Sequence, residues 1–280
     1  MAWTSLLFLV GAGLAGGFIA GLIGVGGGII FAPVLFFYFQ STGVAADVVT
    51  PLTLGTSLLC TLVAALASAV FQYQERTIDV RIAVMVGLFS AVAVQLVTRF
   101  VTTEPWYNGT AFQVVFGLVL TVVAIRMAWP NQAKPNVPER TSGKKKSSHP
   151  RWASLAVTGA AAGAISAAAG VGGGVVLVPA YTGLLRLPMH RAVGTSSATI
   201  VFIAMAGVIG YAVTGWDVPM AGLTLGYVDV RQALVLSVPA ALSARLGVAV
   251  AHRIDTRVLK WCFAALAAFV AARLLLAPLW

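Results

Sequence analysis

Apolar residues run almost without interruption along two long stretches of the chain, from Leu6 to Trp129 and from Trp152 to Leu279. Segments of about 20 residues are separated by short polar loops, and a helix needs about 20 apolar residues to cross the hydrocarbon of a membrane. The runs lack the alternation over about ten residues that is typical of outer-membrane barrel strands. The pattern therefore predicts an all-α integral membrane protein with several membrane crossings.

Each half of the chain contains three ordinary predicted spans, over residues 50–72, 81–100 and 110–129 and then 192–214, 231–250 and 258–278. The stretch 4–39 is a different case, because as one helix it would be about 54 Å long. That length is nearly twice the hydrocarbon thickness of about 30 Å. The sequence GVGGG lies in its middle, so we expect a helical hairpin that bends at the glycines.

The glycine sequence occurs twice, which indicates an internal repeat. A shift of 146 residues matches Gly24, Gly26, Gly27, Gly28 and Pro33 with Gly170, Gly172, Gly173, Gly174 and Pro179. Further on, LGTSL at 54–58 matches VGTSS at 193–197, and IDVR at 78–81 matches VDVR at 228–231. We therefore divide the chain into a first membrane repeat (1–129), a linker (130–151) and a second membrane repeat (152–280). Each repeat is predicted to be a Gly-interrupted helical hairpin plus three transmembrane helices, about 8–10 membrane segments in all.

The distribution of charged residues predicts how the chain is oriented in the membrane. Only 9% of the residues are charged and 59% are hydrophobic, and the net charge of +10 comes mostly from helix ends and the linker. Such a distribution is explained by the positive-inside rule rather than by nucleic-acid binding, so the basic linker is placed in the cytoplasm. The protein itself is expected in the cell inner membrane. Hairpins give each half an odd number of crossings and keep Arg76, Arg81, Arg186, Arg191 and Arg253 on the linker's side. The halves are therefore predicted to be inverted repeats.

Inverted repeats that carry a Gly-interrupted hydrophobic segment at matching places point to the central binding site of a transporter. Glycine lets the backbone leave the helix, and the half-helix that follows presents free N–H groups and a positive dipole end to an anion. The alternative is that the glycines only permit close packing. We assign that role to the pairs Gly17 with Gly21 and Gly159 with Gly163.

Hydroxyl groups and one arginine complete the predicted site. The pairs Thr56 with Ser57 and Thr195 with Ser196 offer donors to an anion, or bond instead to a carbonyl one helical turn back. Arg245 is a basic residue inside a span; it binds substrate or simply extends towards the membrane surface. The predicted substrate-binding residues are Gly24, Gly26, Gly27, Gly28, Pro33, Thr56, Ser57, Gly170, Gly172, Gly173, Gly174, Pro179, Thr195, Ser196 and Arg245. His190 and Arg191, close before the second hydroxyl pair, are candidates for a cytoplasmic mouth that attracts anions.

Other chemistry has little support in the sequence. No acidic residue lies in the middle of a predicted span, and neither G-x-S-x-G nor H-E-x-x-H occurs. The two cysteines have no metal-ligand spacing. We therefore expect no enzymatic activity, no cofactor and no metal. The expected partners are a small anionic substrate and the lipid bilayer, without nucleic acid; the oligomeric state stays open.

The paired GVGGGxxxxP and GTS elements, in a duplicated membrane protein with a basic linker, resemble the sulfite exporter TauE/SafE family of anion permeases. The resemblance covers residues 5 to 278 and implies transport of sulfite or an organosulfonate, most often outward. We expect a secondary transporter that exports its substrate by alternating access around a midplane site formed by the two GVGGG loops. The alternatives are an importer of a related anion and an anion channel.

Overall fold

The structure, a computed structural model of the chain, describes residues 3–128 except 103 and 105, residues 152–255 except 221, and residues 258, 261, 264, 265 and 268–272. This part of the chain is mostly helical and contains no β-strand, only an isolated bridge between Thr224 and Asp229. The predicted all-α fold is confirmed. The linker 130–151 lies outside the described residues, and the division into three regions stays a prediction.

Five helices form the described part of the first half: α1 (Trp3–Ile23), α2 (Gly28–Ser41), α3 (Ala46–Gln74), α4 (Val80–Val97) and α5 (Gly109–Ala128). A π-helical turn, Thr98–Thr102, continues α4. Residues 152–255 of the second half contain four helices: α6 (Trp152–Ala169), α7 (Gly174–Gly183), α8 (Met189–Thr214) and α9 (Val230–Ala251). The described residues from 258 to 272 are helical as well.

The predicted spans agree with the observed helices. The largest difference is at the start of α3, which begins at Ala46 rather than at residue 50. Six helices of the described chain are long and apolar enough to cross a membrane: α1, α3, α4 with its π-helical turn, α6, α8 and α9. Most of the predicted span 258–278 lies outside the described residues.

The predicted bends at the two glycine motifs are confirmed, because α1 ends at Ile23 and α2 begins at Gly28, whereas α6 ends at Ala169 and α7 begins at Gly174. The second arms are short. With 14 and 10 residues, α2 and α7 are about 21 and 15 Å long, at 1.5 Å per residue. A hydrocarbon layer is about 30 Å thick, so α7 is too short to cross it.

The two halves exchange equivalent contacts. Helix α1 packs against α9, the equivalent pair α6 and α4 pack together, and α3 and α8 pack against each other. A Cβ atom on Gly17 or Gly21 would meet the main chain of α9, and one on Gly159 or Gly163 would meet the main chain of α4. The predicted packing role of these four glycines is confirmed. Small residues let the helix backbones approach where apolar lipid gives little drive for association.

The outward faces of the helices carry large apolar side chains. Leu88, Val92 and Leu96 are exposed along α4, and Leu242 and Leu246 are exposed along α9. Exposed apolar surface of this extent marks contact with another apolar phase. Together with the six membrane-length helices, it defines a multi-pass membrane protein.

Candidate substrate site between the glycine loops

Two connections, the first glycine loop (residues 24–27) and the second glycine loop (residues 170–173), repeat one backbone conformation. The φ angle is positive at three glycines of each loop: +72° at Gly24, +84° at Gly26 and +75° at Gly27, then +67° at Gly170, +76° at Gly172 and +77° at Gly173. Residues with a Cβ atom rarely adopt this region, whereas glycine does so at little cost. Backbone conformation therefore requires glycine at these six positions.

The fourth glycine of each motif is required for a reason other than backbone conformation, since neither Gly28 nor Gly174 has a positive φ. A Cβ atom on Gly28 would lie 2.5 Å from the Cα atom of Val171, and one on Gly174 would meet the Cα atom of Val25. The two loops thus contact each other through their backbones. The last glycine is needed because each loop lies directly against the other.

Each loop leaves main-chain donors without a partner. Within the described chain, the N–H groups of residues 25–28 and of residues 171–174 donate no hydrogen bond. All eight residues are buried. Buried backbone N–H groups are almost always paired in native proteins, and here they stand at the positive end of α2 and of α7. The arrangement is suited to an anion.

One carbonyl group in each loop is held by the opposite half. The hydroxyl of Ser57 donates to the carbonyl of Gly170 at 2.7 Å, and the hydroxyl of Ser196 donates to the carbonyl of Gly24 at 2.8 Å. Both serines are fully buried. These bonds cross to the other half of the chain and do not go to a carbonyl one turn back in the same helix. In this state each serine hydroxyl donates its proton to a protein carbonyl.

The threonines of the two pairs act as acceptors. The N–H group of Asp229 donates to the hydroxyl of Thr56 at 2.9 Å, and the N–H group of Asp79 donates to that of Thr195 at 3.0 Å. Each aspartate also caps the helix that follows it. The side chain of Asp79 accepts a hydrogen bond from the N–H group of Ile82, and that of Asp229 accepts one from the N–H group of Gln232. The repeated IDVR and VDVR sequences are therefore helix starts that fasten one half to the other.

Thr61 and Ile200 flank the meeting point of the loops. Cβ atoms placed on Gly26 and Gly172 would lie 2.8 and 2.5 Å from the Cγ2 atom of Thr61, and 3.1 and 2.9 Å from the Cγ2 atom of Ile200. The two residues are equivalent by the 139-residue shift that matches the GTS elements. Both residues therefore present a methyl group to the meeting point, and of the two only Thr61 also carries a hydroxyl.

The remaining predicted site residues lie farther from the loops. Pro33 and Pro179 stand inside α2 and α7 and are partly exposed. Arg245 is exposed on α9, where its guanidinium lies 5.7 Å from the centre of the Phe71 ring. The structure brings together the glycines and both hydroxyl pairs, and it does not bring Arg245 to them. The substrate-binding roles of all these residues stay predictions.

His190 and Arg191 lie in a polar cluster at one end of the bundle. The ring of His190 stacks on that of His252, with centroids 5.4 Å apart, and the Nε2 atom of His252 is 3.3 Å from the Oε1 atom of Gln72. Arg191 forms an ion pair with Asp79 at 3.7 Å. The predicted anion-attracting mouth therefore contains two imidazoles, and its arginine is partly neutralised by Asp79.

Two further features were not predicted from the sequence. The capping role of Asp79 and Asp229 follows the usual preference for aspartate before a helix, so the repeated sequence already contained the information. Thr61 was missed because hydrophobic periodicity does not single out one threonine in an apolar helix. A search for polar residues at helical spacing finds it.

The buried loops, the exchanged contacts and the apolar outer surface define a membrane protein whose two halves meet at the glycine loops. The chain belongs to the sulfite exporter TauE/SafE family, whose model matches residues 9–274. The protein is accordingly a membrane transporter, as the names of its curated relatives also indicate.

Three of these relatives are each named a probable membrane transporter protein. The one from Methanocaldococcus jannaschii is 26% identical over 91% of this chain and 90% of its own. YunE from Bacillus subtilis is 27% identical over 90% and 91%, and one from Haemophilus influenzae is 26% identical over 98% and 99%. No solved structure matches the chain.

Proposed function

We propose that the protein is a secondary transporter that exports a small sulfur-containing anion, such as sulfite or an organosulfonate, through the cell inner membrane. The observation that carries this proposal is the pair of buried glycine loops, whose main-chain N–H groups have no partner in the described chain. Unpaired buried donors are costly, and an anion would satisfy several of them at once. Membership in the sulfite exporter TauE/SafE family supports a sulfur oxyanion as the substrate.

The anion would be held by the N–H groups of residues 25–28 and 171–174, at the first turns of α2 and α7. The positive ends of the two helices add to the attraction. Ser57 and Ser196 would fix the loops by their bonds to Gly170 and Gly24. These hydroxyls become donors to the substrate only when the bonds across the halves open.

Alternating access would come from movement of one half against the other, as in other inverted-repeat transporters. The inverted arrangement is supported by the bond between Asp79, which follows α3, and Thr195, in the second turn of α8. The end of α3 thus lies beside the start of its equivalent helix. Because the loops contact each other at Val25 and Val171, the anion reaches their N–H groups only when the halves separate there.

Export of an anion is favoured by the membrane potential. With a negative cell interior, each departing negative charge gains roughly 2.3 kcal/mol per 100 mV, a factor of about fifty in concentration. A coupling ion is therefore not required. The eight acidic residues lie in predicted loops, the linker or helix ends, which agrees with transport that needs no buried carboxylate as a proton carrier.

The proposal is tested by flux in reconstituted vesicles with sulfite, sulfoacetate, sulfolactate and sulfate, at two clamped membrane potentials. We expect saturable flux of at least one sulfur anion, counterflow with the same anion, and a rate that depends on potential. Vesicles without protein are the control. Absence of flux for the whole panel would reject this substrate class.

Other outcomes separate the alternatives. Single-channel currents without counterflow would indicate an anion channel, in which the loops form a constriction. Accumulation of the anion inside cells against an inside-negative potential would indicate import. Either result would overturn export by alternating access while leaving the loops as the place of binding.

A further inference from the structure

A row of polar side chains follows one face of α3 through the molecule. It consists of six residues, Thr50, Thr53, Ser57, Thr61, Ser68 and Gln72, which we call the α3 polar row. Their spacing is mostly three or four residues, or two turns, so they lie on one face of a helix with 3.6 residues per turn. All six are buried, with exposures of 0–1%.

The equivalent face of α8 is largely apolar. Under the 139-residue shift, the row corresponds to Met189, Ala192, Ser196, Ile200, Gly207 and Tyr211. Of these six residues, only Ser196 and Tyr211 carry a hydroxyl. Both hydroxyls have protein partners, since Ser196 bonds to Gly24 and Tyr211 bonds to Thr102 and Ala167. The two halves therefore share a backbone plan but differ in polarity along this face of their central helices.

Half of the α3 polar row lacks a hydrogen-bond partner. Ser57, Ser68 and Gln72 are bonded to protein groups, whereas the hydroxyls of Thr50, Thr53 and Thr61 have no partner in the described chain. Unpaired buried hydroxyls destabilise the protein and are uncommon. Polar and ionisable groups inside a membrane protein are candidates for the route of a polar substrate.

Thr61 connects this row to the glycine loops. Its Cγ2 atom is next to both Gly26 and Gly172, so the residue lies in the same region as the unpartnered N–H groups. From there the row leads in one direction to Thr53 and Thr50, near the start of α3. In the other direction it leads to Gln72, which contacts His252.

We infer that the substrate moves along the α3 polar row, with Thr50, Thr53 and Thr61 as successive hydrogen-bond donors, and that α8 provides no equivalent route. The inference rests on the proposed transport function and adds where the anion passes. It also makes the path asymmetric within a symmetric fold. At the centre the path is lined by Thr61 from α3 and by Ile200 from α8.

The first test replaces Thr61 by Val, which keeps the side-chain shape and removes the hydroxyl. We expect the rate of sulfur-anion efflux to fall about tenfold or more, the factor that one hydrogen bond to a charged group supplies. Because the removed hydroxyl has no protein partner, the unfolding temperature in detergent should stay equal or rise. Thr61→Ser, which retains the hydroxyl, should restore efflux.

Thr121→Val is the matched control, because the hydroxyl of Thr121 bonds to Gly117 within α5. Efflux by this variant should equal that of the unchanged protein. A lower unfolding temperature for Thr61→Val, together with normal efflux, would assign Thr61 a purely structural role and overturn the inference.

The second test does not depend on the identity of the substrate. Cys60 and Cys262 are replaced by Ala, and single cysteines are introduced at Thr53 and at its α8 equivalent, Ala192. The probe is the anionic reagent 2-sulfonatoethyl methanethiosulfonate, added on both sides of the membrane. We expect modification at position 53 and none at position 192; equal modification of both, or of neither, would overturn the inference.

The two proposals fail separately. If no anion of the panel is transported but position 53 alone is modified, the path stands and the proposed substrate class is wrong. If anions are transported and Thr61→Val behaves like the unchanged protein, the transport function stands and the path is wrong.

Discussion

The hydroxyl of Ser57 donates a hydrogen bond to the carbonyl of Gly170, 113 residues away and in the other half of the chain. The equivalent bond joins Ser196 to Gly24. Each helix break is therefore held by a side chain from the opposite repeat, and the repeated GTS and GVGGG elements work as a pair across the interface.

Replacement of Ser57 by Ala should destabilise the protein, because the carbonyl of Gly170 would be left buried without this donor. We expect the free energy of unfolding to fall by about 1–3 kcal/mol, and Ser196→Ala should have a similar effect. Thermal unfolding in detergent measures the change. Ser41→Ala is the control, since the Ser41 hydroxyl bonds to Tyr38 at an exposed site; an equal effect of both replacements would contradict the prediction.

A methyl group at Gly28 should be far more harmful than one at Gly11. A Cβ atom on Gly28 meets the main chain of Val171, whereas a Cβ atom on Gly11 meets nothing within 4 Å. Gly28→Ala should therefore push the loops apart, lowering the yield of folded protein and its unfolding temperature.

Gly11→Ala, within α1, should stabilise the helix by up to about 1 kcal/mol. Size-exclusion chromatography and thermal unfolding distinguish the two variants. If Gly28→Ala were as stable as Gly11→Ala, the loops would not be in contact in the membrane.

The two aspartate caps should respond alike to replacement. Asp79→Ala and Asp229→Ala each remove a side chain that accepts a hydrogen bond from the N–H group three residues later. The loss of such a cap typically lowers the free energy of unfolding by about 1 kcal/mol. Asparagine is nearly as good a cap, so Asp79→Asn and Asp229→Asn should stay close to the unchanged protein in thermal unfolding. Equal losses for Ala and Asn would instead assign the effect to charge.

The hydroxyl of Thr56 should stabilise the protein by accepting a hydrogen bond. Thr56→Val leaves the N–H group of Asp229 without its partner, and we expect a loss of about 1 kcal/mol in unfolding free energy. Thr56→Ser keeps the hydroxyl and should show little change, as should Thr195→Ser at the equivalent position. Failure of Thr56→Ser to preserve stability would point to the methyl group rather than the hydrogen bond.

Local rules were sufficient to predict much of this fold. The apolar runs predicted α3, α4, α5, α8 and α9, and the glycine clusters predicted both helix breaks. The short length of α7 agrees with the local sequence. Gly183 is its last residue, and Pro188 comes directly before α8. These features depend on neighbouring residues only.

The contacts that build the site depend on residues far apart in the chain. Neither the bond from Ser57 to Gly170 nor the approach of Gly28 to Val171 leaves a local pattern. The sequence singled out Ser57, Gly170 and Gly28 as candidates without predicting what they touch, and it did not single out Val171. Thr61 is an intermediate case, because the polar residues before and after it recur at helical spacing.

The contact between the two loops also constrains how the protein is made. The first half is synthesised before Val171 and Ser196 exist, so the first loop reaches the membrane without the residues that later cover its backbone and bond to the carbonyl of Gly24. Until the second half arrives, that backbone must be shielded by water or by the insertion machinery. The contacts between the two loops therefore form late in biogenesis, and a chain that ends after the first half lacks the residues that cover the first loop.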